Sequence, residues 1–599
     1  MKKDAATVRR ACMRVALGRD TADLVIQGGT LVDVNIGKTY AADVAIKGNR
    51  IAFVGDCSHT IGPETEIFSA EGKFLTPTFI DTHLHATGVQ LSLTELAKSM
   101  VAHGTTVICT DLYEAAILGG IEGMRFCLDE LNSTPLKTLI TIGYQMYIQN
   151  RDLGNTEKIS AEDMMAVLDW PETIGISEWL LWFWSTPEDH PPVVQELFEE
   201  VWARGMQLVG HAHSYPTRDV AGYAAVGSSS EHEANSDEDA LEKLKAGYRI
   251  QMKENGSIHN TQRIVPLITD RGIDSRHIMW NSDHTSPDFL LHHGNIDAYI
   301  REAIRCGVEP IVAVQMGSLN PAEYYRLTDD LGSVTPGRLA DIVIVNNLED
   351  FQVTEVFAEG KLVGRDGEYI AELDPPQYPE YFFNTINVGR EVQPEDFIVR
   401  TSEDRSEVKA RVIGLHFPIT RTDLLEETLP VVNGKVQTRP EDDIIKIAVL
   451  DRHHASGNTV TGFIKGAKLA RGAYGTSYHA GIEDIGIIGT NEEDIAAVAN
   501  CLIEMGGGAA CAVDGKIVGK VEMPLLGLMP TDSLKETVTK WDAMNQALRD
   551  QLGSTHPTPW RAVGFPCMPR AIPRLKICQA GLADVSPTNQ VIVPVLIED

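Results

Sequence analysis

Two histidines one residue apart, His83 and His85, close the apolar run "FLTPTFID" within the stretch "FIDTHLHATG". An extended chain alternates its faces with period two, so both imidazoles point to one side and Leu84 to the other. Such a pair can hold one metal ion. The same placement, a polar residue closing an apolar run, recurs downstream. Glu178 ends "TIGISE", His211 ends "MQLVGH", His232 closes "AAVGSSSEH" and Asp283 ends "HIMWNSD". Four imidazoles and two carboxylates exceed the needs of a single tetrahedral site and can hold two divalent ions, one carboxylate bridging. This nitrogen and oxygen set suits zinc, manganese or iron.

Residues scattered over that much sequence meet only if the fold brings one end of several strands together. Between Thr76 and about Thr335, strand-like runs such as "TTVICTD" and "MQLVGHAH" alternate with helix-like runs such as "PVVQELFEEVWARG" and "NIDAYIREAIRCG". Strand followed by helix, repeated, predicts a parallel sheet with crossover helices, and about 260 residues is the usual size of a closed (β/α)8 barrel, a TIM-like α/β fold. In such barrels the chemistry sits at the carboxyl ends of the strands, where all six residues fall. "FLTPTFID" reads as the first buried strand.

The flanks have another texture. From Ala22 to about Phe74, and again in "GRLADIVIVNNLEDFQVTEVFAEGKLVGRDGEYI", short alternating runs are separated by turn signals. We therefore expect a discontinuous β-sandwich made from both flanks. The divisions are residues 1–75 for an N-terminal arm and the first part of the sandwich, 76–334 for the barrel, 335–375 for the second part of the sandwich, and 376–599 for a C-terminal α/β domain.

Composition narrows the partners. The 599-residue chain carries a formal net charge of -32, which argues against a nucleic-acid or anionic-membrane partner and is most simply a matter of solubility; the expected partner is a small-molecule substrate. Nine singly scattered cysteines without a CxxC pair suggest neither a disulfide framework nor a thiolate zinc site, and fit a reducing cytoplasm. The basic N-terminus suits a short amphipathic helix rather than a signal segment. No run of about 18 apolar residues predicts a membrane span. A homodimer is the default assembly for a large enzyme of this kind.

The order of the six residues within a strand-flanked barrel resembles the amidohydrolase superfamily, and more closely its bacterial adenine deaminases. The likeness runs through "GHAHSYPTRDVAGYAAVGSSSEHEANSDEDALEKLKAG", "QMGSLNPAEYY", "LGSVTPGRLADIVIVNNLEDFQVTEVFAEGKLV", "DRHHASGNTVTGFIKG" and "IIGTNEEDIAAVANCLIEMGGG". It implies a metal-dependent hydrolase in which His83 and His85 bind one ion, Glu178 bridges to a second, and His211 and His232 hold that second ion. Asp283 would contact the first ion and move protons, so that Asp283 and Glu178 are the catalytic acids. The implied reaction is hydrolytic deamination of adenine to hypoxanthine and ammonia.

Substrate-facing segments depart from that pattern. Ala86-Thr87-Gly88 stands where the family has Ile-Glu-Ser, and Asp111-Leu112-Tyr113-Glu114 where it has Asp-Pro-His-Glu. Asp283-His284 replaces a paired Asp-Asp, and "HAGIED" (479–484) replaces a His-Asp-Ser-His-Asn loop. Glu accepts and fixes hydrogen bonds in ways Thr cannot, and His to Tyr moves the available pKa by several units. Candidate substrate contacts are Thr87, Tyr113, Glu114, Trp179, His213 and His284. The aromatic run "WLLWFW" (179–184) and Trp280 are readable as pocket wall or as core. The departures predict a reaction kept in kind with its substrate shifted. A related enzyme cleaving a cyclic or aryl amide is one alternative. A non-catalytic binding protein is another, disfavoured because all six ligand positions are occupied. "EMGGG" follows a helix, where Gly506 can cap it, so no phosphate loop is expected. His453-His454 could approach the site or contact backbone, and "FPCMPRAIPRLKIC" lacks the PCxxC spacing of the other zinc-deaminase design.

Overall fold

Eight parallel strands carry the site. In order they are β1 (Phe79–Asp81), β2 (Thr105–Thr110), β3 (Lys137–Gly143), β4 (Thr173–Leu180), β5 (Gln207–His211), β6 (Ser228–Glu231), β7 (Arg249–Lys253) and β8 (Ile278–Asn281), each beside its sequence neighbour. They come from a computed structural model that describes residues 2–143, 158–180, 192–212, 217–256, 258–416, 421–478, 483–568, 574–586 and 589–597. β2, "TTVICT", is buried at every position, as a parallel strand covered on both faces must be. Helices return the chain between strands, among them α1 (Leu93–Ala102), whose first turn is capped by the Ser92 hydroxyl accepting from the Glu95 N–H, and α2 (Tyr113–Asn132).

The ring closes where the histidine pair lies. Thr82 N–H donates to the Trp280 carbonyl at 3.2 Å, Asp283 N–H to the His83 carbonyl at 2.9 Å, and His85 N–H to the Asp283 carbonyl at 3.0 Å. Backbone pairing between the two ends of the sheet thus fixes Asp283 beside His83 and His85. Trp280 is core: it is fully buried and its indole N–H donates to the Ala313 carbonyl at 3.2 Å.

One element differs from expectation. "FLTPTFID" is two strands rather than one: Phe74–Pro77 pairs with Ile342–Val345 in a seven-stranded sheet, and Phe79–Asp81 begins the barrel. Pro77 has no N–H to extend a ladder, and Thr78 N–H turns instead to the Asp341 carbonyl. The seven-stranded sheet draws strands from both flanks, and its inner face packs Leu31, Leu75, Ile342, Ile344 and Phe357 against Leu24, Ile26, Val44 and Ile46 of a four-stranded sheet. The N-terminal helix Lys2–Ala16 buries Cys12 and Val15 against that smaller sheet.

C-terminal residues build a mixed ten-stranded sheet, with the helix Glu492–Glu504 packed on it and ended by Gly506 at φ 72°. A three-stranded sheet follows, and the helix Leu534–Asp550 runs near the barrel mouth, where its Trp541 helps line a cavity.

Candidate metal centre

His83 and His85 lie just beyond β1 and flank Leu84, which bridges to Asp283. The expected alternation holds: both imidazoles are buried on one side, their ring centroids 4.7 Å apart. Glu178 lies within β4, where the pairing with β5 slips between Ile176 and Trp179, a bulge that re-aims a side chain. Its φ is 52° and that of Asp283 is 55°. A non-glycine residue in the left-handed region costs about 1–2 kcal/mol, and such strain concentrates at functional sites. Both acids of the constellation are held this way.

Glu178 Oε1 sits at the centre. It is 3.1 Å from His83 Nε2, 3.2 Å from His85 Nε2 and 3.4 Å from His232 Nε2. Asp283 Oδ1 is 3.5 Å from His85 Nε2 and 3.8 Å from His83 Nε2, while its Oδ2 accepts from Lys253 Nζ at 3.1 Å. His211, at the end of β5, joins an adjoining cluster, its Nε2 3.4 Å from Glu233 Oε1, which is also 3.5 Å from His232 Nε2. His232 is common to both groups.

Burial and mutual charge set the protonation. Although burial opposes it, the His85 charge and the hydrogen bonds from His232 and His83 hold Glu178 well below the usual carboxylate range. Burial likewise opposes Asp283, yet Lys253 and His284 hold it well down. Burial, with His83 adding to it, pushes His232 down to about 4. Burial opposes it, yet the charges of Asp111 and Glu178 hold His85 well above the usual imidazole range, so a cation must displace that proton, because neutral imidazole lone pairs and ionised carboxylates are the forms that bind one. One atom from each of His83, Glu178, His232 and Asp283 lies within 4.8 Å of the others, and the same holds for His211, His232 and Glu233. Several imidazole nitrogens converging on one buried carboxylate oxygen fit divalent ions.

Around His85 gather four of the six candidate substrate contacts. His284 stacks on its ring at 4.4 Å, Tyr113 meets it edge-on at 5.3 Å, and Thr87 donates to Glu114 Oε2 at 2.6 Å. Burial raises Glu114 to about 7. The Trp179 side chain, residues 181–184, His213 and residues 479–482 fall outside the described residues. His453 and His454 remain with the C-terminal acids, 3.5 Å from Asp484 and 3.1 Å from Asp451 respectively.

Sequence reasoning missed Glu233, Lys253 and Asp111 as site residues. Lys253 bridges Glu233 and Asp283, and Asp111 Oδ1 lies 3.2 Å from His85 Nδ1. Lys253 ends "RIQMK", Asp111 ends "TTVICTD" and Glu233 adjoins His232, so the rule that selected the other six reaches them too. A cavity of about 720 Å³ opens beside the centre, lined by Gly88, Glu254, His284 and Thr285 of the barrel and by Tyr478 and Trp541 of the C-terminal part.

A closed parallel barrel with imidazoles and carboxylates converging at its carboxyl end defines a metal-dependent amidohydrolase. Residues 74–363 match the amidohydrolase family, and residues 420–589 match the adenine deaminase C-terminal domain. The adenine deaminase of Clostridium botulinum (strain Loch Maree / Type A3) is 33% identical over 96% of each chain. That of Moorella thermoacetica is 32% identical over 97% of each, and adenine deaminase 3 of Rhizobium meliloti 32% identical over 96% of each. The chain belongs to the adenine deaminase family. Among the described residues no helix is long and apolar enough to cross a membrane.

Proposed function

We propose that the protein hydrolyses adenine to hypoxanthine and ammonia with two divalent ions per chain, held by His83, His85, Glu178, His211, His232 and Asp283. The observation that carries this reading is the convergence of His83, His85 and His232 on one oxygen of Glu178, with Asp283 alongside. When bound, the ions supply a water whose pKa falls from about 15.7 towards neutrality. Asp283, ionised by its surroundings, would accept the proton of the attacking water at its carboxylate and return it to the departing amine. A carbon–oxygen bond forms, the exocyclic carbon–nitrogen bond breaks, and ammonia leaves. Glu178, ionised and approached by three imidazole nitrogens, would supply the negative charge that holds the ions. Thr87, Tyr113, Glu114 and His284 are the candidate ring contacts, of which His284 lines the cavity beside the centre, and full family membership favours adenine over the amides that the altered second set of residues had suggested.

The test is a panel of purines, pterins, cyclic amides and aryl amides given to protein loaded with zinc, manganese or iron, with ammonia and product mass followed together. Adenine is expected to yield ammonia and hypoxanthine in equal amounts. A ring-opened product without ammonia from an amide, and nothing from adenine, would replace deamination by amide cleavage.

A further inference from the structure

His232 is shared by both groups of ligands, yet its ring lacks the usual anchor. A metal-binding imidazole is ordinarily oriented by a hydrogen bond at its second nitrogen, as Asp111 orients His85 through Nδ1 at 3.2 Å. The buried His232 Nδ1 has no such partner among the described residues. Its direction is therefore set by the backbone that carries it.

That backbone is wound around a carboxylate. Glu231, the last residue of β6, pairs with Ile250 of β7 and is fully buried. Its Oε2 accepts from the Glu233 N–H at 2.8 Å and its Oε1 from the Ala234 N–H at 3.2 Å. The chain from 231 to 234 thus closes on its own side chain, with His232 at the bend. From there His232 Nε2 lies 3.4 Å from Glu178 Oε1, and its ring stacks on His83 at 4.3 Å. The next side chain, Glu233, meets Lys253, which bonds Asp283 Oδ2 at 3.1 Å. The Asn260 amide ties down the far end by donating to the Ala234 carbonyl at 3.0 Å.

A lysine neutralises this carboxylate from behind. Lys243, equally buried on the helix Asp237–Lys245, places Nζ 3.0 Å from Glu231 Oε2 and 3.0 Å from Asp239 Oδ2. A buried ion pair is a weak source of stability, because desolvation offsets the attraction, and its best-attested use is to fix one arrangement of the chain. Apolar side chains could fill the same space, but they could not accept the N–H groups of two successive residues.

We propose that Glu231, neutralised by Lys243, is a positioning residue for the second ion: its two oxygens hold the 231–234 turn so that His232 presents Nε2 to that ion. The inference rests on the two-ion reading above and extends it by naming the device that aims one of the ligands.

The experiment compares the full-length wild type with Glu231→Gln and with Glu231→Gln combined with Lys243→Met, each loaded with zinc or with cobalt(II). Glutamine keeps one acceptor oxygen, so one of the two N–H groups loses its partner, while Lys243 keeps Asp239 as a counter-charge. The double variant removes the buried cation as well, which separates the turn from the charge balance. Zinc is withdrawn by a chromophoric chelator, the cobalt(II) absorption spectrum reports the geometry around the ions, and thermal melting of the metal-free proteins reports the fold. The wild type is expected to give up two ions in two steps. Glu231→Gln should hold the first ion as before and the second about 10- to 100-fold more weakly, the range for losing a group that orients a metal ligand, with a changed cobalt spectrum. The double variant should remain as weak. Wild-type affinity for both ions in Glu231→Gln, an equal weakening of both, or recovery of the second ion's affinity in the double variant overturns the proposal. If the single variant does not fold, the double variant, which leaves neither Glu231 nor Lys243 charged, decides by the same criteria. A wild type that takes up fewer than two ions overturns the two-ion reading, and this inference falls with it.

Discussion

Asp283→Asn is expected to lower kcat on adenine by about two to four orders of magnitude, the range for removing a group that shuttles a proton in the transition state. The carboxylate divides its oxygens, Oδ1 towards His83 and His85 and Oδ2 on Lys253, and its neighbours keep it ionised. Asparagine has nearly the same shape and keeps an oxygen to face the histidines, but it cannot accept and return a proton. The barrel is closed at this position by main-chain bonds, the Asp283 N–H to His83 and the Asp283 carbonyl from His85, which the substitution leaves in place. Turnover at saturating adenine, thermal melting and metal content measured on one preparation check this. An unchanged rate would remove Asp283 from the chemistry whatever its effect on metal.

Glu178→Gln should act first on the metal. Three imidazole nitrogens lie within 3.4 Å of one Glu178 oxygen, so a shared negative charge at that point is what two cations in close proximity require. Glutamine keeps an acceptor oxygen and loses the charge. The variant is expected to retain one ion per chain or fewer after dialysis, against two for the wild type, with kcat/KM lowered at least about a hundredfold, the order reached when a group on which the site's charge depends is removed. Elemental analysis of protein loaded with zinc, manganese or iron decides it. Two ions held by Glu178→Gln, or only trace metal in the loaded wild type, would contradict the bridging role.

The barrel could be read because its signal is repetitive. Strand then helix, eight times over, leaves one parallel arrangement, and residues at the strand ends must then meet. The break inside "FLTPTFID" was hidden because both halves are apolar and only Pro77 marks the change of sheet. The six metal candidates were visible as polar residues closing apolar runs. Lys253 and Asp111 obey the same rule, and Glu233 adjoins His232, but a lysine, or an acid not needed to complete a six-ligand set, suggests an exposed strand end until the fold buries it, as it does Lys253 and Asp111. Tyr478 gave no signal at all. It lies nearly two hundred positions beyond His284, in "GTSYHAG", and only the packing of the C-terminal sheet on the barrel mouth brings its hydroxyl to that imidazole. Long-range contacts of this kind have no periodicity to announce them.

The proposed reaction replaces the amino group of a purine with water activated in a metal site. Its most direct test is the mass of the product formed from adenine in water enriched in heavy oxygen, with ammonia counted in the same reaction. Hypoxanthine carrying a single labelled oxygen and one ammonia per product are expected, lost when metal is stripped and regained on reloading. Unlabelled hypoxanthine or unaltered adenine from fully metallated protein, or release of ammonia that persists undiminished after the metal is removed, would contradict the reaction.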